Sequence, residues 1–174
     1  MDFIFDPSLV LNLPLYLLDG NSLMDKSAYG HARTVTGATC GLQGRTFDGI
    51  DDFITIPNAT SLQVTTAITI EVWSQLSSVA AAERALVNKN YEEAYHLEER
   101  PPTSGLSFIG KTGGVYAQVY SDAFTSDLNW HHNVVTWDST TMRFHRDGVA
   151  IGTPAKTAGA INTTTANVYI GKSH

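Results

Sequence analysis

The residues able to do chemistry are few and scattered. Six histidines, one cysteine and seventeen acids are spread over 174 residues. Cys40, alone, can close no internal disulfide and can make no thiolate zinc site by itself. His131 and His132 are adjacent, and neighbouring side chains on an extended chain point to opposite faces, so they cannot chelate one ion together. His96 and His145 are lone histidines in extended runs. Hydrolysis of a glycosidic bond needs two carboxylates about 5–9.5 Å apart, hence acids at i and i+2 or i+4 on one strand face. Glu71 stands alone between Thr69 and Trp73, and most other acids lie in turns. The one acidic cluster, Glu92-Glu93 and Glu98-Glu99, surrounds Tyr95-His96-Leu97, and Glu98 sits beside Arg100-Pro101-Pro102, where a strand should end. No catalytic residue is assigned, and the chain reads as non-enzymatic.

Two other constellations could bind a ligand. Asp48, Asp51 and Asp52 offer oxygens to calcium, but without the spacing of an EF-hand, and such acids between strands are also ordinary turn formers. In Val115–Tyr120 the apolar Val115, Ala117 and Val119 are expected to face inward. Tyr116, Gln118 and Tyr120 then line the other face, giving aromatic planes for sugar stacking and a planar amide for hydroxyls. His96 and Glu98 are expected on a neighbouring strand with the same outward parity. The competing reading is that tyrosine simply suits a half-exposed strand.

The elements that must position these residues are strands. Apolar and polar residues alternate in short runs rich in Thr, Val and Ile, the period-two pattern of half-buried strands. Strands are expected at Leu9–Leu17, with Pro14 placing it near an edge, then at Phe53–Ile56, Ala67–Leu76, Ala85–Val87, Tyr95–Leu97, Leu106–Ile109 and Val115–Tyr120. Asn133–Trp137 and Met142–Arg146 flank a turn at Asp138-Ser139-Thr140-Thr141. Asp147-Gly148, a type I′ hairpin signal, leads into Val149-Ala150-Ile151, and Asn167–Ile170 closes the series. Helical periodicity is weak; only Ser78–Leu86 could form a turn or two. Evenly spaced short strands with turns between them predict an all-β sandwich or barrel in a single domain, residues 1–174.

Composition narrows the function classes. The net charge of −6 leaves no electrostatic footprint for nucleic acid or anionic lipid. Nothing approaches the roughly 18 consecutive apolar residues of a membrane span. The N-terminus carries two acids and no early base, and its apolar run is interrupted by Asn12 and Pro14, unlike a secretion signal. Without such a signal, the Asn58-Ala59-Thr60 and Asn162-Thr163-Thr164 sequons read as chance matches in a Thr-rich chain.

Four segments, in order, resemble the laminin G-like jelly-roll domains of the concanavalin A-like lectin and glucanase superfamily. They are Phe47-Asp48-Gly49-Ile50-Asp51-Asp52-Phe53-Ile54, Ile68-Thr69-Ile70-Glu71-Val72-Trp73, Trp130-His131-His132-Asn133-Val134-Val135-Thr136-Trp137-Asp138 and Met142-Arg143-Phe144-His145-Arg146-Asp147-Gly148. The resemblance implies two antiparallel sheets in a jelly-roll sandwich, with a concave outer face that often binds glycans. It makes the Trp-His-His run the opening of a structural core strand. It also points to Asn88, Asn90, Glu92 and Glu93 as calcium ligands, since related pentraxin-like domains place ion ligands in that connection. No cofactor is required, and calcium is the one ion with candidate ligands.

Such domains usually end in a further strand near the N-terminal one, whereas this sequence stops at Ile170-Gly171-Lys172-Ser173-His174. An incomplete or partner-completed sheet is therefore expected, with Leu11, Leu13 and Leu15 as the assembly edge. The expected function is a binding or adhesion module for surface glycans, with candidate ligand residues His96, Tyr116, Gln118 and Tyr120. An extracellular-type fold without an export signal suggests a virion surface, such as a phage capsid-decoration or tail-associated protein. The alternatives are an assembly subunit that pairs through an open edge and binds no sugar, and an accessory fragment of a secreted glycanase.

Overall fold

The computed structural model describes residues 6–16, 24–79, 82–100, 105–122, 124, 127–156 and 159–173. Among these run β1 (Thr34–Thr36), β2 (Thr39–Gly41), β3 (Gly44–Thr46), β4 (Phe53–Ile56), β5 (Ile68–Gln75), β6 (Arg84–Lys89) and β7 (Tyr95–Arg100). They are followed by β8 (Gly105–Thr112), β9 (Val115–Tyr120), β10 (Trp130–Trp137), β11 (Thr141–Arg146), β12 (Val149–Lys156) and β13 (Val168–Ile170). One 3₁₀ turn spans Thr60–Leu62. The strands form a seven-stranded sheet ordered β1-β4-β13-β6-β7-β8-β9 and a four-stranded sheet ordered β12-β11-β10-β5, while β2 and β3 make a separate hairpin. The pairings are antiparallel, as a jelly-roll sandwich requires.

Alternation places the core. Ile68, Ile70 and Val72 of β5 turn inward while Thr69, Glu71 and Trp73 turn outward. Across the sheet, Asn133, Val135 and Trp137 of β10 are buried. They face Ile54, Ile56, Leu97 and Phe108 of the larger sheet. Trp73 is 63% exposed and stacks on its cross-strand partner His132, with ring centroids 5.1 Å apart. One buried ion pair links the sheets: Arg146 of β11 lies 3.5 Å from Glu99 of β7 and donates to Asn133. Burial pushes the Glu99 carboxyl up, against the pull of Arg146.

The turns are those the residue types demand. Asp147 and Gly148 take φ of 53° and 78°, the left-handed pair of a type I′ hairpin joining β11 to β12. Asp138 accepts the backbone N–H groups of Thr140 and Thr141, which closes the β10–β11 turn.

Three expectations fail, and three short strands are unforeseen. The strand over Leu9–Leu17 does not form in residues 9–16; Leu17 lies outside the described residues. Pro14 has no N–H, and the N–H of Asn12 is claimed by the Asp25 carboxylate instead of a ladder. Leu11, Leu13 and Leu15 accordingly form no strand edge; they pack, partly buried, on the core. The helical turn over Ser78–Leu86 is absent among its described residues, because Arg84–Leu86 already belong to β6. The short strands β1, β2 and β3 went unforeseen, being three residues each and too brief to show a period. The last strand, β13, is inserted between β4 and β6. The smaller sheet has edges at β12 and β5, and β5 runs beside a groove of about 2470 Å³ lined by Ile68, Val72, Leu11, Leu13, Leu86 and Val87.

Candidate functional site

The outer face of the seven-stranded sheet gathers the polar residues. Register alone builds the first row: Thr55, Tyr169, Asn88, His96, Ile109 and Gln118 are successive cross-strand partners from β4 to β9. A second row runs Ala85, Glu98, Ser107 and Tyr120. Strand spacing of about 4.8 Å puts Asn88 and Gln118 roughly 14 Å apart. Tyr116 and Tyr120 of edge strand β9 are 48% and 44% exposed on this face. The four ligand candidates thus share one face, but β8 lies between His96 and the tyrosine strand, so they are not on neighbouring strands. Val115, expected inward, is 68% exposed because it opens β9 at the Gly113-Gly114 turn, past the end of the core.

Hydrogen bonds tie these side chains together. Gln118 donates to the Ser107 hydroxyl at 3.1 Å. His96 Nε2 lies 3.0 Å from Glu98 Oε2. Arg100 reaches Glu98 Oε1 at 3.4 Å and the Tyr120 hydroxyl at 3.3 Å, and it also pairs with Glu83. Its guanidinium lies over the Tyr120 ring, 5.6 Å from the centroid. Burial first, then Tyr120 and Glu98, raises the Tyr116 phenol, which keeps it a neutral donor. Glycoside hydrolysis would need one free carboxylic acid opposite a carboxylate. Here Glu83 and Glu98 are both ion-pair partners of the same arginine.

Two atoms on this face are left over. Asn88 and His96 are each 2% exposed, and Asn88 Oδ1 and His96 Nδ1 have no hydrogen-bond partner. The Asn88 amide N–H donates to the Ser173 carbonyl, which fixes which way the amide points. Tyr91 stands edge-on to His96, with centroids 6.1 Å apart.

The proposed calcium set is not assembled by these contacts. Asn88 serves Ser173, the Asn90 carbonyl closes the turn by accepting from Glu93 and Ala94, Glu92 accepts from Tyr91, and Glu93 pairs with Lys111 at 2.9 Å. Asp48, Asp51 and Asp52 do converge, their oxygens within 4.8 Å of one another. Asp48 Oδ1 there accepts the N–H groups of Ile50 and Asp51, and Asp52 Oδ2 accepts that of Asp48, as Asx turns do.

Sequence reasoning missed two buried clusters. Asp25, His31 and Ser61 line up as carboxylate, imidazole and hydroxyl, with Asp25 Oδ2 at 2.7 Å from Nδ1 and Ser61 Oγ at 2.8 Å from Nε2. The spacing resembles a nucleophilic triad, but the N–H groups of Leu62 and Gln63, which follow Ser61, are spent in the 3₁₀ turn, so they supply no oxyanion site. The cluster is a latch: Asp25 also accepts from the backbone of Asn12, Ser27 and His31, pinning the N-terminal segment to the sandwich. Burial opposes its ionisation, yet those donors outweigh burial and hold the carboxyl below its usual value. The close spacing of Asp25, Ser27 and His31 was the only signal in the sequence. Lys89, buried, donates to Asn58 Oδ1 and the Ala166 carbonyl, and burial lowers its pKa to about 8. Nothing in its neighbours predicts that.

A family model described as the concanavalin A-like lectin/glucanases superfamily matches residues 48–174, and the chain belongs to this laminin G-like family. Among solved structures it is similar to the binding domain of Paraclostridial Mosquitocidal Protein 1, at 13% identity and a TM-score of 0.74, covering 95% of this chain and 44% of that one. It is also similar to domain 4 of AbnA, a GH43 extracellular arabinanase from Geobacillus stearothermophilus, in complex with arabinotriose. That match has 13% identity and a TM-score of 0.63, over 91% of this chain and 82% of that one. The chain thus spans less than half the length of the mosquitocidal binding domain. At these identities the likeness speaks for the fold alone. No curated protein sequence matches the chain.

Proposed function

We propose that the protein is a non-enzymatic carbohydrate-binding module whose ligand lies across the outer face of the seven-stranded sheet. The observation that carries this is the pairing of two exposed tyrosine rings on β9 with the polar row of Asn88, His96 and Gln118 on the same face. Stacking planes beside hydrogen-bonding groups are what a pyranose or furanose ring requires, and a row about 14 Å long suits an oligosaccharide. The test is retention on a glycan array that includes arabinotriose. Tyr116→Ala with Tyr120→Ala should lower affinity by about tenfold or more while leaving the unfolding midpoint near wild type, because both rings are half exposed. Equal retention by the double variant would sink the reading.

The unpaired β5 edge and its apolar groove favour one alternative, an assembly subunit that recruits a strand. Light scattering separates the two. A concentration-dependent multimer that retains no array glycan would replace the sugar reading with the assembly one.

A further inference from the structure

We propose that Asn88 and His96 form a donor-reading subsite, which takes hydroxyl or amine hydrogens of a neutral or amino sugar and refuses acidic sugars. The inference rests on the glycan reading above and assigns the class of sugar to the same face. Its basis is the identity of the two unused atoms. The Glu98 carboxylate, which can only accept, lies 3.0 Å from His96 Nε2, so Nε2 carries the proton. In the neutral ring Nδ1 is then a bare lone pair. Asn88 gives one amide N–H to Ser173, which orients the amide and leaves its oxygen as the unpaired acceptor. The pair are cross-strand neighbours on one face, and both orphaned atoms are buried.

Two buried acceptors side by side call for donors. A sugar hydroxyl or an amino-sugar N–H satisfies them, whereas a uronate, sulfate or phosphate oxygen would set lone pair against lone pair. Arg100 pairs with Glu98 and Glu83 beside them, so the selection rests on the two lone pairs and not on local net charge. The cover that has to move is the Tyr91 ring, which stands against His96 in the turn after β6. Its rotation leaves the strand ladder and the Asn88–Ser173 hydrogen bond in place.

The first measurement is the ring ¹⁵N spectrum of His96 in the intact free protein. A proton on Nε2 and none on Nδ1 is expected, and a proton on Nδ1 overturns the proposal whatever sugar binds. The second compares wild type with His96→Gln for binding of arabinotriose, tri-glucosamine and tri-galacturonate, beside the full array. The glutamine amide can replace Nε2 toward Glu98 but leaves no acceptor where Nδ1 was. A loss of about tenfold or more with an unchanged fold is expected, with tri-galacturonate the weakest of the three for wild type. Unchanged affinity in His96→Gln, the orphaned pair holding an ordered water only, overturns the subsite. So does tight binding of tri-galacturonate. If the tyrosine double variant still loses its sugar in those cases, the glycan reading stands and only this inference falls. If wild type retains no sugar at all, both fall together.

Discussion

Two buried histidine–carboxylate pairs sit in this molecule at nearly the same separation and do different things. His31 is 2.7 Å from Asp25, and His96 is 3.0 Å from Glu98. In the first pair both ring nitrogens are used, one by Asp25 and one by Ser61, and the carboxylate is saturated by backbone donors. In the second pair one nitrogen is spent and the other is left bare beside a bare amide oxygen. A closed network stores its free energy in holding segments together. An open one, buried at some cost, keeps hydrogen-bonding capacity for something outside the fold. Chemistry of the residue types does not distinguish the pairs; the count of satisfied atoms does.

The comparison breaks most sharply at Asp25. Asp25→Ala strips three backbone N–H groups and His31 of their buried acceptor, and urea denaturation should show a loss of about 3–5 kcal/mol. A loss below about 1 kcal/mol would mean the latch is ornamental. The same substitution made in both histidines sharpens the contrast. His31→Gln keeps a group near Ser61 but abandons Asp25 and should cost about 1–3 kcal/mol, whereas His96→Gln removes only the unused nitrogen and should cost less than about 1 kcal/mol. Equal losses would erase the distinction between closed and open pairs.

A third histidine, exposed enough to titrate, sets the lower end of the scale. His131 bridges Asp147 at 2.7 Å and Asp127 at 2.9 Å, tying the β11–β12 turn to β10. Burial disfavours its charge, but the two carboxylates prevail and hold its pKa above the usual value. Asp127 falls to about 2 and Asp147 is also lowered, each chiefly through its bond to His131. The histidine's contribution is complete below its unfolded pKa of roughly 6.5 and fades as pH rises through the folded value. The carboxylates contribute above roughly 3.9 and fade as pH falls through theirs. The difference in unfolding midpoint between wild type and His131→Asn should therefore be greatest between about pH 4 and 6.5, shrinking on either side. It should be the smallest of these effects, because both carboxylates are half exposed.

Much of the architecture was legible in the chain. Period-two alternation located Phe53–Ile56 and Val115–Tyr120 to the residue and set the inward and outward faces of β5. Asp147-Gly148 specified its hairpin, because only residues tolerant of positive φ can turn there. The same local reasoning failed at Leu9–Leu17, where alternation was correct but the backbone donor at Asn12 had a better partner in Asp25, which no local pattern names.

What the sequence determined by itself is most of the strands from β4 to β13, the parity of β5 and the tyrosine stripe on β9, all of them properties of residues one or two apart. Strand order was decided only by tertiary structure. It placed β13 between β4 and β6, put β8 between His96 and Gln118, and set Asn88 beside His96. Whether a buried polar atom is satisfied depends on which distant strands become its neighbours. The candidate site is such a property, and it exists only once the sheet has closed around it.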